Sequence, residues 1–207
     1  MAKLSSSTTM NAEQQNWIDS NEKEDLRCLQ SIQESWNDNR YPYPNQSEVE
    51  QASRLAYKGH LTEVSYMILY SSKLESIPRF DFMAELTQIV KEGIFIGGDS
   101  KIGQDNLSAI LRNARCRELG INHVSLNASL TRLLVQSLDS VEELYLEFDA
   151  KVDLDTLTSY SGTGSCKVIE FYDYNFYGPK LKEFAHDKGW KYEKDGYWPY
   201  WHTIKRS

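Results

Sequence analysis

Several kinds of residue and segment are scarce in this sequence of 207 residues. It has only three cysteines, Cys28, Cys116 and Cys166, which make neither an even set for disulfides nor a C-x-x-C metal site. No apolar run reaches the length of a membrane helix, and no apolar core of a signal peptide follows the first residues. We therefore expect a cytoplasmic protein that does not contact a membrane.

Positive charge is also in deficit, with 23 Lys and Arg against 30 Asp and Glu and a net charge of −7. A nucleic-acid partner is disfavoured because neutralising phosphates requires a basic surface. The length, with 40% hydrophobic residues, fits one globular core plus an appended segment.

Motifs for catalysis and for cofactor binding are missing as well. The four histidines lie at least 16 residues apart, and no G-x-S-x-G sequence occurs. The segment SGTGSCK (161–167) resembles a phosphate loop in composition, but its pattern predicts a loop that follows a helix and precedes a strand, the reverse of the required order. We therefore expect no catalytic residues, no metal and no cofactor.

The N-terminal quarter differs from the rest of the chain. Residues 1–12 are small and polar and predict a flexible tail. Residues 13–46 comprise one helix, predicted from the apolar spacing between Trp17 and Trp36, and a connector rich in proline and tyrosine. Residues 47–207 form the main domain, whose first helix begins near Ser47, where Ser47 and Glu50 have the form of a capping box.

An internal repeat dominates the main domain. Five segments share the form Φ-x-x-Φ-x-Φ, where Φ is mostly apolar, and their central positions are 67, 94, 119, 144 and 169, at steps of 27, 25, 25 and 25 residues. Apolar residues at helical spacing follow each segment. Start signals for these helices include Asp105, Asn127 (or Ser125) and Asp153. The unit is therefore a strand, a loop, a short helix and a loop.

Such a unit is too small to bury its own apolar faces, so the units must stack. Because a helix connects successive strands, the strands run parallel and the helices cover one side. A helix is wider than the spacing between strands, so we expect the stack to curve. The predicted fold is α/β: a short curved solenoid of about five strand-helix units, with the parallel sheet on the concave side.

Both ends of a stack of this kind need a cap. At the start, the helix near Ser47 serves this role. At the end, residues 190–204 predict a β-hairpin around a DG turn, with Pro199 on the edge strand. Its aromatic residues would cover the core; the alternative is a platform for stacking bases or sugars. These residues are Trp190, Tyr192, Trp198, Tyr200 and Trp201.

The strand segments resemble those of a known family. VEELYLEF (141–148) and CRELGINHV (116–124) are similar to the strands of leucine-rich-repeat proteins of the ribonuclease-inhibitor type. Over about residues 55–194, the chain resembles the repeat regions of cytosolic nucleotide-binding immune receptors. The resemblance implies a protein-binding solenoid with a role in innate immune or scaffold signalling. It departs from the family where Asn or Cys normally follows the strand, since Ser72, Asp99, Val124, Asp149 and Tyr174 stand there.

The outward positions of the predicted strands carry six glutamates, five aromatic residues, one arginine and one lysine. Large aromatic side chains beside charges are typical of a recognition surface, although a solvated sheet face is the alternative. The excess of carboxylates predicts a protein partner with a basic patch. The candidate binding residues are Tyr66, Tyr70, Phe95, Glu118, Glu143, Tyr145, Glu147, Glu170 and Tyr172.

We therefore predict a non-catalytic protein-interaction module. The alternative is a small enzyme that uses Glu143, Glu147 and Glu170 as acid and base groups, but an open face should leave these carboxylates with ordinary pKa values. A third possibility is a helical partner-binding role for residues 13–37 alone.

Overall fold

The computed structural model describes residues 11–19, 21–38, 44–70, 80–97, 102–147, 150–172, 178–195 and 200–206. Within these ranges the protein is a mixed α/β structure with eight helices and seven strands. In chain order they are α1 (Ala12–Asp19), α2 (Glu22–Asn37), α3 (Gln46–Tyr57), β1 (Val64–Leu69), α4 (Phe80–Gln88), β2 (Val90–Ile96), α5 (Gln104–Asn113), β3 (Glu118–Asn122), α6 (Ala128–Ser137), β4 (Glu143–Glu147), α7 (Leu154–Thr158), β5 (Val168–Tyr172), α8 (Gly178–Asp187), β6 (Trp190–Lys194) and β7 (Trp201–Arg206).

The seven strands form one open sheet in the order β1-β2-β3-β4-β5-β7-β6. Strands β1 to β5 are parallel and adjacent in chain order, whereas β7 is antiparallel to both β5 and β6. The prediction of a sequential parallel sheet is confirmed. The sheet is not closed or strongly curled. The predicted curvature stays a prediction.

The 25-residue period sets the register of the parallel strands. Met67 pairs with Ile94, and the same position continues through Leu119, Leu144 and Ile169. These five side chains are buried, as are the residues two positions later in each strand. Because alternate residues of a strand face opposite sides, both sets point into the core beneath the helices. From α3 to α8, each helix packs on the next one in the chain.

Two helix starts follow the sequence signals, and two differ. The side chains of Asn127 and Asp153 cap α6 and α7 by accepting hydrogen bonds from Leu130 N and Thr156 N. The helix predicted near Ser47 is present as α3, which begins at Gln46, but the capping box predicted at Ser47 and Glu50 is wrong, because Asn45 and Glu48 form it. Asp105 lies in the first turn of α5, whose cap position is Gly103.

The N-terminal segment contains two helices where one was predicted, because Asn21, at the cap of α2, does not have helical geometry. Helix α1 begins at Ala12, the last residue of the predicted tail, and residues 1–10 of that tail lie outside the described part. Helix α2 is joined to α3 by a buried ion pair in which Arg54 donates from Nε and Nη2 to the Asp25 carboxylate at 2.6 and 2.7 Å. The ring of Trp17 lies 4.8 Å from the guanidinium. This geometry fixes the first helices on the main domain.

The predicted C-terminal hairpin is present as β6 and β7. Trp190 is buried and packs on Tyr160 and Phe184, so this part of the predicted lid is confirmed. Trp201 was assigned to the same lid, and this assignment is wrong, because it pairs with Tyr172 and faces the other side of the sheet. Trp198 and Pro199 lie outside the described residues.

Breaking the ion pair should destabilise the N-terminal helices. Asp25→Asn leaves the Arg54 guanidinium buried without its counter-charge, and we expect the free energy of unfolding to fall by about 3–5 kcal/mol in urea titrations. The matched control is Asp19→Asn, because Asp19 is more than half exposed and lies 3.6 Å from Lys58 Nζ. The control should change stability by less than about 0.5 kcal/mol. Equal effects of the two substitutions would contradict this role of Asp25.

Candidate functional site

The register places the outward side chains of the sheet in three rows. We call the surface they form on β1 to β5 and β7 the sheet face. The first row is Tyr66, Gly93, Glu118, Glu143, Val168 and Lys205. The second is Ile68, Phe95, Gly120, Tyr145, Glu170 and Thr203. The third contains the paired residues Asn122 and Glu147, followed by the paired residues Tyr172 and Trp201.

Two glycines make room for the ring of Phe95. A Cβ atom on Gly93 would lie 2.6 Å from Phe95 Cε2, and one on Gly120 would lie 2.4 Å from Phe95 Cδ1. The ring therefore lies close above Gly93 of its own strand, β2, and above Gly120 of the neighbouring strand, β3. The ring centroid of Tyr145 is 6.5 Å away, which is within the range of aromatic pairs. Phe95 and Tyr145 thus form an aromatic centre on the sheet face.

Carboxylates surround this aromatic centre. Tyr145 donates its hydroxyl to Glu143 Oε2 at 2.6 Å. Glu118 lies directly opposite Glu143 in the register and is paired with Arg117, whose Nε is also 3.4 Å from Glu92 Oε2. The first row therefore holds two half-buried carboxylates side by side, of which only Glu118 has a cationic partner among the described residues.

Partial burial changes the ionisation of two of these glutamates. Desolvation raises the pKa of Glu118, and the neighbouring charge of Glu143 adds to this effect while Arg117 opposes it. Desolvation also raises the pKa of Glu147, with a further contribution from the charge of Glu170. The expectation of an ordinary pKa is therefore wrong for Glu147, because the neighbouring side chains exclude water from an otherwise open sheet.

At the β4 to β7 end of the sheet face, carboxylates and aromatic rings alternate. Asn122 donates from Nδ2 to Glu147 Oε2 at 3.3 Å, and Trp201 donates from Nε1 to Glu170 Oε2 at 3.1 Å. The ring of Tyr172 lies 5.8 Å from that of Trp201 and 5.9 Å from that of Tyr200. Tyr200 is half exposed. This end of the face thus presents both negative charge and accessible aromatic surface.

No lysine, arginine or histidine pairs with Glu143, Glu147 or Glu170 within the described ranges. The Oδ1 atom of Asn122 is buried and likewise has no hydrogen-bond partner in this part of the chain. The sheet face therefore has acceptors and negative charge in excess of its own donors and cations.

The structure brings most of the predicted site residues together. Of the nine, Tyr66, Phe95, Glu118, Glu143, Tyr145, Glu147, Glu170 and Tyr172 lie on the sheet face, and Tyr70 is half-buried directly after β1. Sequence reasoning missed Trp201 and Asn122 as site residues. The register identifies Asn122 as an outward position, but no sequence signal shows that β7 rather than β6 pairs with β5.

The cysteines of the repeats lie in the core. Burial raises the pKa of Cys116 and of Cys166 to about 12, so both thiols stay protonated at neutral pH. Both are free cysteines and are buried. Across the described ranges, no three side chains of His, Cys, Asp and Glu are grouped as a metal site would require.

Comparisons with known proteins find no family model that matches the sequence, and no curated protein or solved structure matches it significantly. Among the described helices, none has the length and apolar character needed to cross a membrane.

The place of the Phe95 ring can be tested at Gly120. Gly120→Ala puts a methyl group where the ring lies, so the ring must leave the sheet, and we expect a loss of about 1–3 kcal/mol in unfolding free energy. For the ring positions, Gly103→Ala is the matched control, because an added Cβ there meets no atom within 4 Å; its own effect on stability is that of an alanine at the cap of α5. Chemical shifts of the Phe95 and Tyr145 rings report the displacement directly. Unchanged shifts in Gly120→Ala would show that the ring does not lie over this glycine.

The raised pKa of Glu147 predicts how its substitution depends on pH. A carboxyl group whose pKa is higher in the folded state binds protons on folding. The free energy of unfolding therefore falls as the pH rises from the pKa of the unfolded state, near 4, through the higher pKa of the folded state. Glu147→Gln should therefore raise the free energy of unfolding at pH 7, and the gain should disappear below about pH 4.

Glu142→Gln, directly before β4, provides the opposite case. Its hydrogen bond from Lys167 lowers the pKa of Glu142, so its ionised form favours the folded state above pH 4. This substitution should lower stability at pH 7 and have little effect at low pH. Urea titrations at both pH values check the two signs, and a loss of stability in Glu147→Gln at pH 7 would contradict the prediction.

Proposed function

We propose that this chain is a non-catalytic protein-interaction module whose sheet face binds a basic segment of another protein. The observation that carries the proposal is the set of three carboxylates, on Glu143, Glu147 and Glu170, that have no cationic partner among the described residues. A basic partner would neutralise this charge, and the field of the carboxylates would also accelerate its association.

The aromatic rings between these carboxylates support the same proposal. Tyr145, Tyr172 and Trp201 are rigid side chains that keep part of their surface accessible. Tyrosine and tryptophan contribute much of the binding energy in protein interfaces, because they bury a large area at a small cost in conformational entropy. A partner that places basic groups against the carboxylates would therefore also cover these rings.

The architecture fits a leucine-rich-repeat-like solenoid, and we include this assignment in the proposal. Support comes from the sequential parallel strands and from a register in which equivalent positions of successive repeats pair directly. Proteins of this form bind partners on the surface of their strands. We further propose, from the resemblance of the strand segments, a cytoplasmic role in innate immune or scaffold signalling.

A nucleic-acid partner is disfavoured because phosphates would meet the glutamates of the sheet face. The enzymatic alternative is favoured by one observation, the raised pKa values of Glu118 and Glu147, which are typical of acid and base groups. Glu118 is paired with Arg117, however, and the sheet is open and not strongly curled, so we prefer the binding role.

Selection from a random peptide library against the full chain tests this function. We expect the enriched peptides to be rich in arginine and lysine, and their affinity to fall as salt is added. The triple variant Glu143→Gln/Tyr145→Ala/Glu147→Gln should weaken binding of the selected peptides at least about tenfold by calorimetry, as the loss of one interface hot spot would.

A matched triple variant away from the sheet face provides the control. Glu22→Gln/Tyr57→Ala/Glu63→Gln makes the same chemical changes on exposed positions of the helices and of the loop before β1, and it should leave the affinity unchanged. Enrichment of neutral or acidic peptides, or equal binding to the unmodified chain and to the sheet-face variant, would overturn the proposed function.

A further inference from the structure

We infer that the sheet face contains an anchor site for one arginine side chain of the partner, formed by Glu147, Glu170, Trp201, Tyr172 and Asn122. We call these five residues the acidic corner. The inference rests on the proposed function and deepens it, because it names the chemical group that the partner inserts and the place where that group binds.

The register brings the acidic corner together. Glu170 pairs with Tyr145, and Glu147 follows Tyr145 by two residues on the same face of β4, so the two carboxylates lie on neighbouring strands. They are close enough for the charge of Glu170 to affect the ionisation of Glu147. Tyr172 follows Glu170 by two residues and pairs with Trp201 on β7, which places both rings beside the carboxylates.

Two separate observations show that the acidic corner lacks donors. Neither carboxylate has a cation in the described part of the chain, and each receives one neutral hydrogen bond, from Asn122 Nδ2 or from Trp201 Nε1. Independently, Asn122 Oδ1 is buried without a hydrogen-bond donor. Buried polar atoms are nearly always paired, and this one belongs to the side chain that contacts Glu147. A ligand with several N–H groups and a positive charge would supply what the two carboxylates lack.

The shape of the acidic corner favours a guanidinium group over other cations. A guanidinium is planar, carries five N–H donors, bridges carboxylates in a bidentate manner and stacks on aromatic rings. The rings of Tyr172 and Trp201 offer the stacking surface beside the two carboxylates. A lysine ammonium lacks the plane for stacking, and a quaternary ammonium lacks every donor.

The experiment is an NMR titration of the full chain with three small probes. These are the N-acetyl N-methylamides of arginine, of lysine and of citrulline, the neutral analogue of arginine. The indole N–H resonance of Trp201 is the readout, because this group donates to Glu170 Oε2, and Trp201→Phe assigns it among the five tryptophans. We expect the arginine probe to shift this resonance with a dissociation constant of about 1 mM, corresponding to a small, weakly bound ligand.

The lysine probe should bind at least about threefold more weakly, and the citrulline probe should not bind, since it keeps the planar shape without the charge. Glu147→Gln/Glu170→Gln should weaken the arginine probe at least about tenfold. The control Glu142→Gln/Glu193→Gln makes the same charge change on glutamates already paired with lysines, Lys167 and both Lys191 and Lys205, and should have no effect.

Four results would overturn the inference: a Trp201 resonance that the arginine probe leaves unchanged, equal or tighter binding of lysine, binding of citrulline with arginine-like affinity, or full binding to the folded Glu147→Gln/Glu170→Gln variant. The ranking of the three probes on the unmodified chain decides the matter even if that variant does not fold. If basic peptides from the library bind without placing an arginine in the acidic corner, the anchor site alone is refuted. If the library yields no enrichment of basic peptides, the proposed function is refuted.

Discussion

The structure depends on the burial of one repeated pair of inward side chains. In each parallel strand the central residue and the residue two positions later are buried, and they pair directly with the same positions of the neighbouring strands. No single strand-helix unit of this size encloses its own core, so each one is stable only between neighbours. Even a one-residue slip of a strand would turn its apolar set toward solvent, and this cost fixes the register throughout β1 to β5.

The same constraint produces the functional surface. Once the inward residues are in register, the outward residues must also lie side by side, including the like charges of Glu118 and Glu143. Neighbouring carboxylates of this kind reduce stability. Burial is the main cause of the raised pKa values of Glu118 and Glu147, and the charges of Glu143 and Glu170 add to it. Residues that lower the stability of the free protein in this way are typical of binding sites, because a partner of opposite charge removes the repulsion.

The two ends of the sheet are held by contacts that are not part of the repeat. At the start, a bidentate ion pair between Asp25 and Arg54 fixes α2 on α3, and Asn37 accepts hydrogen bonds from the backbone N–H and hydroxyl of Ser65 on β1. At the other end, β7 reverses the strand direction and its Ile204 continues the buried row of Ile169. The parallel series of strands therefore ends at β5, and the antiparallel strand β7 adds Trp201 to the sheet face.

Much of this protein follows from local sequence alone. The period of 25 residues predicts the parallel strand order and the inward residues. It also predicts the outward residues, and eight of the nine candidate site residues lie on the sheet face. Strand alternation and a constant repeat are geometric rules, so these predictions need no knowledge of distant contacts. Only the tertiary structure decided the break between α1 and α2, the capping of α3 by Asn45, the pairing of β7 with β5, and the desolvation of Glu118 and Glu147. Each of these depends on which side chains meet across the fold, and the burial of a carboxylate or the choice of a neighbouring strand is a property of those contacts and not of the local pattern.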